Sequence, residues 1–342
     1  MPMVFKPKTV MTRVGEQTFD VPQVRGGGFY PSALEKGTRT ERALNLALAE
    51  MYVQGVSTRK VKAITEELCG HSFSASTISE ATARLDEGLK AFFERRLEEA
   101  YPYLILDARY ERVREGGVIA SQAVLVAIGV DWEGRRQVLG VEVANRESRS
   151  SWRTFLADLR ARGLHGVEYV VSDDHAGLKA AIREILPEAA WQRCYVHFLR
   201  NALDYLPRKH DDDCLMELRW FYDRRDLAEV RRDIAQWVTK WQAKYAKLVA
   251  WVEENVEETL TYYRLPRAHH KHMKSTNMLE RLNQELKRRT LVVRIFPNSA
   301  SCLRLTRALA VETHEGWLEA TRYLNMEHLK EAKKENLRAL AA

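Results

Sequence analysis

"YPYLILDARYERVREGGVIASQAVLVAIGVDWEGRRQVLGVEVAN", residues 101–145, decides the fold. "YPYLILDA" is a short apolar run ending in Asp107, "GVIASQAVLVAIGVD" is rich in β-branched residues, and "RRQVLGVEVAN" alternates after the turn "DWEGR". Three consecutive strands joined by tight turns are predicted. "SSWRTFLADLRARGL" then carries the stripe of an amphipathic helix opened by a Ser cap, and "VEYVVSD" is a fourth strand that ends, like the first, in a carboxylate, Asp173. "HAGLKAAIREILP" is a helix stopped by Pro187, and "AWQRCYVHF" is predicted as a fifth strand carrying Cys194 and His197. The order is β, β, β, α, β, α, β, an α/β core.

On either side the patterns change. Residues 1–37, with the run "RGGGFYPSALEKG", are expected to be an irregular tail or linker. Residues 38–99 are helical. "TERALNLALAEMYV" stops near Gly55, Ser57 caps "STRKVKAITEELCG" up to Gly70, and a third helix, capped by Ser74 or Ser76, runs from Thr77 towards Ala100. This is the layout of a helix-turn-helix module, although helical hairpins of other kinds share it; Ser76, Thr77, Ser79 and Arg84 are its candidate groove contacts. The first part of the core is assigned to residues 100–198, and residues 199–272 read as an inserted helical subdomain. Its Trp220, Trp237, Trp241 and Trp251 are expected to be core anchors rather than base contacts. Residues 273–342 return to the core and end in helices.

Lys and Arg number 54 against 47 Asp and Glu, a net charge of +7 over 342 residues, which favours a polyanionic partner. The four cysteines, Cys69, Cys194, Cys214 and Cys302, are too sparse for a disulfide framework and form no CxxC pair, so a reducing compartment is expected. "MPMVFKPKTV" lacks the apolar core of a signal peptide, and "AVLVAIGV" is far short of the roughly 20 residues that span a bilayer. A cytoplasmic protein with no membrane partner is expected.

Desolvating an unpaired charge is costly, so carboxylates that close apolar strands belong at ends, edges or metal sites. If the fourth strand lies parallel to the first, Asp107 and Asp173 are neighbours at one sheet edge. Two adjacent anions repel, and a bound divalent cation with oxygen ligands, Mg²⁺ above all, relieves them. "STNMLERLNQELKRR", residues 275–289, is a helix whose Met278, Leu279, Leu282 and Leu286 form one apolar stripe. Around Glu280 its opposite face gathers Asn277, Asn283, Gln284, Lys287 and Arg288. Taken alone, this is either a solvated face or a third acidic ligand in a polar setting.

The strand order, with an Asp on the first strand, an Asp after the fourth and a Glu on a later helix, resembles the RNase H-like DDE transposases and integrases. More narrowly, "SDDHAGLKAAI", "WQRCYVHF" and "STNMLERLNQELKRRTLVVRIFPN" resemble the mutator-type transposases of bacterial insertion sequences, from about residue 28 to about residue 318. The resemblance implies an RNase H-like catalytic core, a mixed five-stranded sheet with helices, interrupted by an all-α insertion and preceded by a helix-turn-helix-like DNA-binding region. It assigns the first acidic ligand, in an L-D-A strand, to Asp107. The second, in an S-D-x-H-x-G-L motif, falls on Asp173, with His175, Gly177 and Leu178 in place. The third, in N-x-x-E-x-x-N, falls on Glu280 between Asn277 and Asn283. The C-x-x-H signature falls on Cys194 and His197. Spacing alone permits zinc there, but two further ligands are not evident and on one strand the two side chains face oppositely, so a site-supporting role is favoured, with His197 near the scissile phosphate. His175 either contacts a phosphate or caps the helix that begins there. The "HHKH" run, 269–272, reads as a flexible basic loop.

The implied activity is metal-dependent DNA cleavage and strand transfer at the terminal inverted repeats of an insertion sequence, with Asp107, Asp173 and Glu280 holding two Mg²⁺ or Mn²⁺ ions. Lys287, Arg288, Arg289 and Arg294 are the candidates to track a DNA backbone, against the plain alternative of solvated surface cations. Pairing two ends calls for a homodimer or a larger assembly. Members of the family carry a further N-terminal segment ahead of the counterpart of "MTRVGEQTFDVPQV", which puts full end recognition by this chain in question. The rival from another class is a non-catalytic DNA-binding protein or repressor derived from a transposase, and a structure-selective nuclease on the same fold is a second. A pure binder has no use for three anions gathered near DNA.

Overall fold

The computed structural model describes residues 4–23, 30–31, 34, 40–70, 73–207, 212–320 and 322–341. It opens with an antiparallel hairpin, β1 (Val4–Thr12) and β2 (Gly15–Gln23), where an irregular tail was expected. Val10 and Val21 turn inward and are buried, while Gly15 takes the positive φ of 106° that closes the turn. Val10 and Val21 are the only apolar side chains of the hairpin that are buried, among lysines, prolines and threonines, too few for a period of two to stand out. The glycine run of 26–28 lies outside the described residues.

Four helices follow, α1 (Arg42–Val53), α2 (Thr58–Cys69), α3 (Ala75–Ala83) and α4 (Leu85–Glu94). Ser57 caps α2 by accepting from Lys60 N, Gly70 ends it at φ 70°, and Ser74 caps α3 by accepting from Thr77 N. Leu44, Leu48, Val61, Phe73, Ile78 and Ala81 form their small core. The third helix is thus two. The chain breaks at Arg84, and α4 leaves this core to bury Phe93 in the main one.

The central sheet is built from β3 (Tyr103–Glu115), β4 (Val118–Val130), β5 (Arg136–Ala144), β6 (Tyr169–Ser172) and β7 (Ala190–Arg193), in the order β5-β4-β3-β6-β7. β3, β4 and β5 pair antiparallel, and β6 and β7 run parallel to β3. Between β5 and β6 lies α5 (Arg149–Ala161), and between β6 and β7 lies α6 (Ala176–Ile185). This is the RNase H-like arrangement. One sheet face, with Leu104, Leu106, Leu125 and Leu139, packs under Trp152, Leu156 and Leu159 of α5 and Leu178 and Ile182 of α6. Gly140 is required there, because a Cβ would come within 2.9 Å of the Phe155 ring. The outer edge strand β5 is guarded by arginines: Arg95, Arg162 and Arg307 donate to the carbonyls of Val138, Leu139 and Val141 at 2.8, 2.9 and 3.2 Å.

The other face, with Tyr103, Ile105, Val124, Val126 and Val171, is covered by the second half of the chain. That half comprises α7 (Tyr195–Ala202), α8 (Asp212–Trp220), α9 (Leu227–Trp241), α10 (Ala246–Asn255), α11 (Arg267–Met273), α12 (Asn277–Val293), α13 (Ser299–Glu319) and α14 (Glu327–Ala341). Trp237 and Trp241 are buried and Trp251 stacks on Phe198 at 4.7 Å, but Trp220 is 48% exposed and anchors no core. Val230, Trp237, Leu248 and Val252 of the insertion belong to the same apolar cluster as Tyr103 and Ile105 of the sheet. The insertion therefore shares its core with the sheet. "HHKH" lies within α11 rather than a loop, with His269 buried between Tyr103 Oη at 2.8 Å and the Asn325 carbonyl at 2.9 Å.

Candidate active site

Pairing between β3 and β6 ends at Ile105 and Val171, and two residues further along each chain stand Asp107 and Asp173. β3 itself runs on to Glu115 beside β4, so Asp107 does not end its strand. The two aspartates sit mid-sheet, where β3 and β6 part, rather than at a lateral edge. This is the crevice in which open α/β sheets bind ligands. A side-chain period of two puts Asp107 on the face of Tyr103 and Ile105, the face that α12 covers.

A cleft of about 500 Å³ opens at this point, and Asp107, Asp173 and Glu280 all line it. α12 reaches it because Met278, Leu279, Leu282 and Leu286 are 5% exposed or less. Each such side chain contributes about 1.5–3 kcal/mol on burial. Those anchors leave Glu280 on the open side of the helix. Asn283, one turn on, donates its Nδ2 to Asp107 Oδ2 at 2.7 Å, and Arg109 donates to the Asn283 carbonyl at 2.6 Å. Thr290 Oγ1 lies 3.3 Å from Glu111 Oε1, tying the helix to β3 at a second level. Asn277 is exposed at the first turn and lies outside the cleft lining, so of the two flanking amides only Asn283 is brought to the carboxylates.

Burial, and then the charge of Asp173, push the Asp107 carboxyl up to about 6, against the opposing pull of His197 and Asn283. The three carboxylates make a hard oxygen donor set, and Asn283 Oδ1 is buried beside them without a partner. Such donors suit Mg²⁺ or Mn²⁺ rather than zinc. Among the described residues no three His, Cys, Asp or Glu side chains already converge as a finished metal cage.

Cys194 and His197 differ from their expected placement. β7 stops at Arg193, Cys194 is the residue before α7, and His197 sits on the first turn of that helix. The helical turn brings the two side chains together instead of to opposite faces. The Cys194 sulfur, with Asp107 and Asp173, holds the His197 imidazole above its ordinary range despite burial. Burial raises the Cys194 thiol, but His197 and the Thr276 donors outweigh it and hold the thiol low. The Cys194 sulfur accepts from Thr276 N and Oγ1 at 3.4 and 3.5 Å, and its own N donates to the Ser172 carbonyl at 2.7 Å. It thereby joins the end of β6 to the start of α12. His175 caps α6, its Nδ1 accepting from Leu178 N at 3.3 Å, and it also lines the cleft. Glu147 stands 3.4 Å from the same nitrogen.

Residues 5–320 match the model of the family described as "Transposase, Mutator family". The chain belongs to that family. It is 69% identical, over 98% of its own length and 84% of the relative's, to the transposase for insertion sequence element ISRM5 of Rhizobium meliloti (strain 1021). It is 51% identical to the transposase for insertion sequence element IS406 of Burkholderia multivorans, over 94% of this chain and 83% of that one. It is 39% identical to the transposase for IS256 in transposon Tn4001 of Staphylococcus aureus, over the same shares.

Of the transposase's four expected backbone-tracking cations, Lys287, Arg288 and Arg294 are exposed. Arg288 is paired with Glu285 at 3.0 Å. Arg289 is a correction. It is 5% exposed and donates from Nη1 to the Val53 carbonyl at 2.7 Å, clamping α12 to the N-terminal helices. Helical geometry turns it a full 100° from Arg288, onto the packed side. Three polar residues of the site escape a motif search. Arg200 is exposed on the cleft wall, Glu147 backs His175, and Arg193 is buried next to Cys194. Only Arg193 carries a signal in the sequence, as the lone guanidinium of the run "AWQRCYVHF".

Proposed function

We propose that the transposase cuts and joins DNA at the ends of an insertion sequence, with Asp107, Asp173 and Glu280 as the ligands of two Mg²⁺ or Mn²⁺ ions. One observation carries this reading: three carboxylates from three separate stretches of chain line one cleft on an RNase H-like sheet. The names of the relatives, each a transposase for an insertion sequence element, support the substrate.

In the first step water attacks phosphorus and the bond to the 3′ oxygen breaks, leaving a 3′-OH on the element and a 5′-phosphate on the flank. In the second, that 3′-OH attacks a target phosphodiester, one P–O bond forming as the bond to the target's 3′ oxygen breaks. Divalent ions, when bound, supply activation of the attacking oxygen and stabilisation of the leaving one. The protein's share is placement. Asn283 fixes one oxygen of Asp107, the buried stripe of α12 sets the height of Glu280, and Cys194 ties that helix to Ser172, the residue before Asp173. His197 and Arg200 face the same space as donors to phosphate oxygens. The α1–α4 module reads the ends, Lys287, Arg288 and Arg294 follow the backbone, and a homodimer or larger assembly brings two ends together.

The test is cleavage and strand transfer by Glu280→Gln beside the parent, on duplexes carrying the element's terminal repeat with Mg²⁺. The variant should bind ends and neither cut nor join. Cutting at the parent rate sinks the assignment of Glu280, and a parent that binds ends without ever cutting is a DNA-binding protein.

A further inference from the structure

Arg193 is 1% exposed at the end of β7. A guanidinium is retained at such depth only with partners that answer its charge. Its Nη1 lies 2.9 Å from Asp174 Oδ2 and donates to Asn255 Oδ1, also at 2.9 Å, at the end of α10 in the helical insertion. Glu258, just beyond α10, stands 3.9 Å from the same nitrogen and pairs with Lys179 of α6. Lys179 Nζ is in turn 4.0 Å from Asp174 Oδ1. Two cations and two anions from four segments close a neutral cluster, and both oxygens of Asp174 look into it.

Asp174 is the immediate neighbour of Asp173, and both line the cleft. Two adjacent carboxylates on one turn are interchangeable by chemistry, and a third anion next to Asp107 and Asp173 would add repulsion and compete for the same cations. We propose that Arg193 is a positioning residue that sorts the pair, holding Asp174 against the helical insertion so that Asp173 alone is presented beside Asp107. The proposal rests on Asp173 being a metal ligand. It also makes docking of the insertion, through Asn255 and Glu258, a condition for an ordered second ligand.

The experiment compares the parent, Asp173→Asn, Arg193→Gln and the double variant Arg193→Gln with Asp174→Asn. The probe is a duplex carrying the terminal repeat that flanks the chain's own coding sequence, with Mg²⁺, at a temperature where circular dichroism shows every variant folded. Substitutions behind a metal ligand cost about 10–100-fold. Arg193→Gln should therefore cut at least about tenfold more slowly while binding ends normally in EDTA, and adding Asp174→Asn should return the rate to within about threefold of the parent. That suppression is the deciding readout, since a purely structural arginine gives a folded fraction of ordinary activity with nothing to suppress. Arg193→Gln cutting at the parent rate, or a double variant as slow as the single, overturns the proposal. Should Arg193→Gln not fold, Arg193→Lys with and without Asp174→Asn decides in the same way. Asp173→Asn cutting normally overturns the ligand reading and this proposal together, whereas an inactive Asp173→Asn with no suppression overturns this proposal alone.

Discussion

Asp107→Asn should make the metal-free protein more stable at neutral pH while abolishing cleavage. The substitution is nearly isosteric, and the new amide oxygen can still accept from Asn283 Nδ2, which lies 2.7 Å from the present carboxylate. What it removes is a charge that folding disfavours. Burial and Asp173 raise the Asp107 carboxyl from 3.8 to about 6. A carboxyl raised in the folded state favours folding fully below its unfolded value and loses that contribution as pH rises through the folded one. A displacement of about 2 pH units at about 1.4 kcal/mol each gives about 3 kcal/mol, a ceiling because the cleft admits water. For a chain of this size that corresponds to a gain of up to roughly 6 °C in Tm. Thermal melts in EDTA at about pH 7.5 should show the full gain, and melts at about pH 5 roughly half of it, because there the folded parent already holds the proton. Added Mg²⁺ should raise the parent's Tm and leave the variant's unmoved. Parent and variant melting together at neutral pH would refute the claim that burial and Asp173 outweigh the pull of His197 and disfavour the charge on Asp107.

Arg289→Ala removes the bond to the Val53 carbonyl and should cost about 2 kcal/mol, read as a lower Tm and as faster limited proteolysis within residues 40–70. His175→Ala should cost about 1 kcal/mol through the lost cap of α6, and His175→Asn should recover most of it in thermal melts. Cys194→Ala leaves the buried Thr276 N–H and hydroxyl without their sulfur acceptor, a loss of about 1–3 kcal/mol, whereas Cys194→Ser keeps an acceptor and should lie between Ala and the parent in both Tm and cleavage rate.

The sheet was legible because its strands speak in the simplest code. Tyr103 to Leu106 and the run from Ala123 to Val130 are buried on both faces, so apolar continuity alone marks them. The stripe of α12 was legible for the same reason, with Met278, Leu279, Leu282 and Leu286 all buried as the period demands. The β1–β2 hairpin was not, since two inward valines carry no period. "WQRCYVHF" failed at its middle: a four-residue strand and the eight-residue helix after it are both too short to display a period, and nothing local marks the change at Cys194. "HHKH" and Arg289 failed for a shared reason. Charged and polar side chains are assigned to solvent by default, and only the tertiary partners of His269 and Arg289 (the Tyr103 hydroxyl with the Asn325 carbonyl, and the Val53 carbonyl) draw them inside.

α12 shows how one short sequence can serve a core and a site without conflict. Its apolar side is fixed by burial on the sheet and its far end by Arg289, so the helix can neither roll nor slide without losing several kilocalories. Glu280 therefore inherits its position from residues that never touch the cleft. The same logic holds for Asp107, whose strand is paired with β4 through to Glu115, and for Asp173, which directly follows β6, a strand held between β3 and β7. The carboxylates resist one another, and the folded scaffold supplies the work that keeps them together. It follows that substitutions which loosen the scaffold should relax the carboxylates apart and lose cleavage before they lose the fold, with end binding the last property to go.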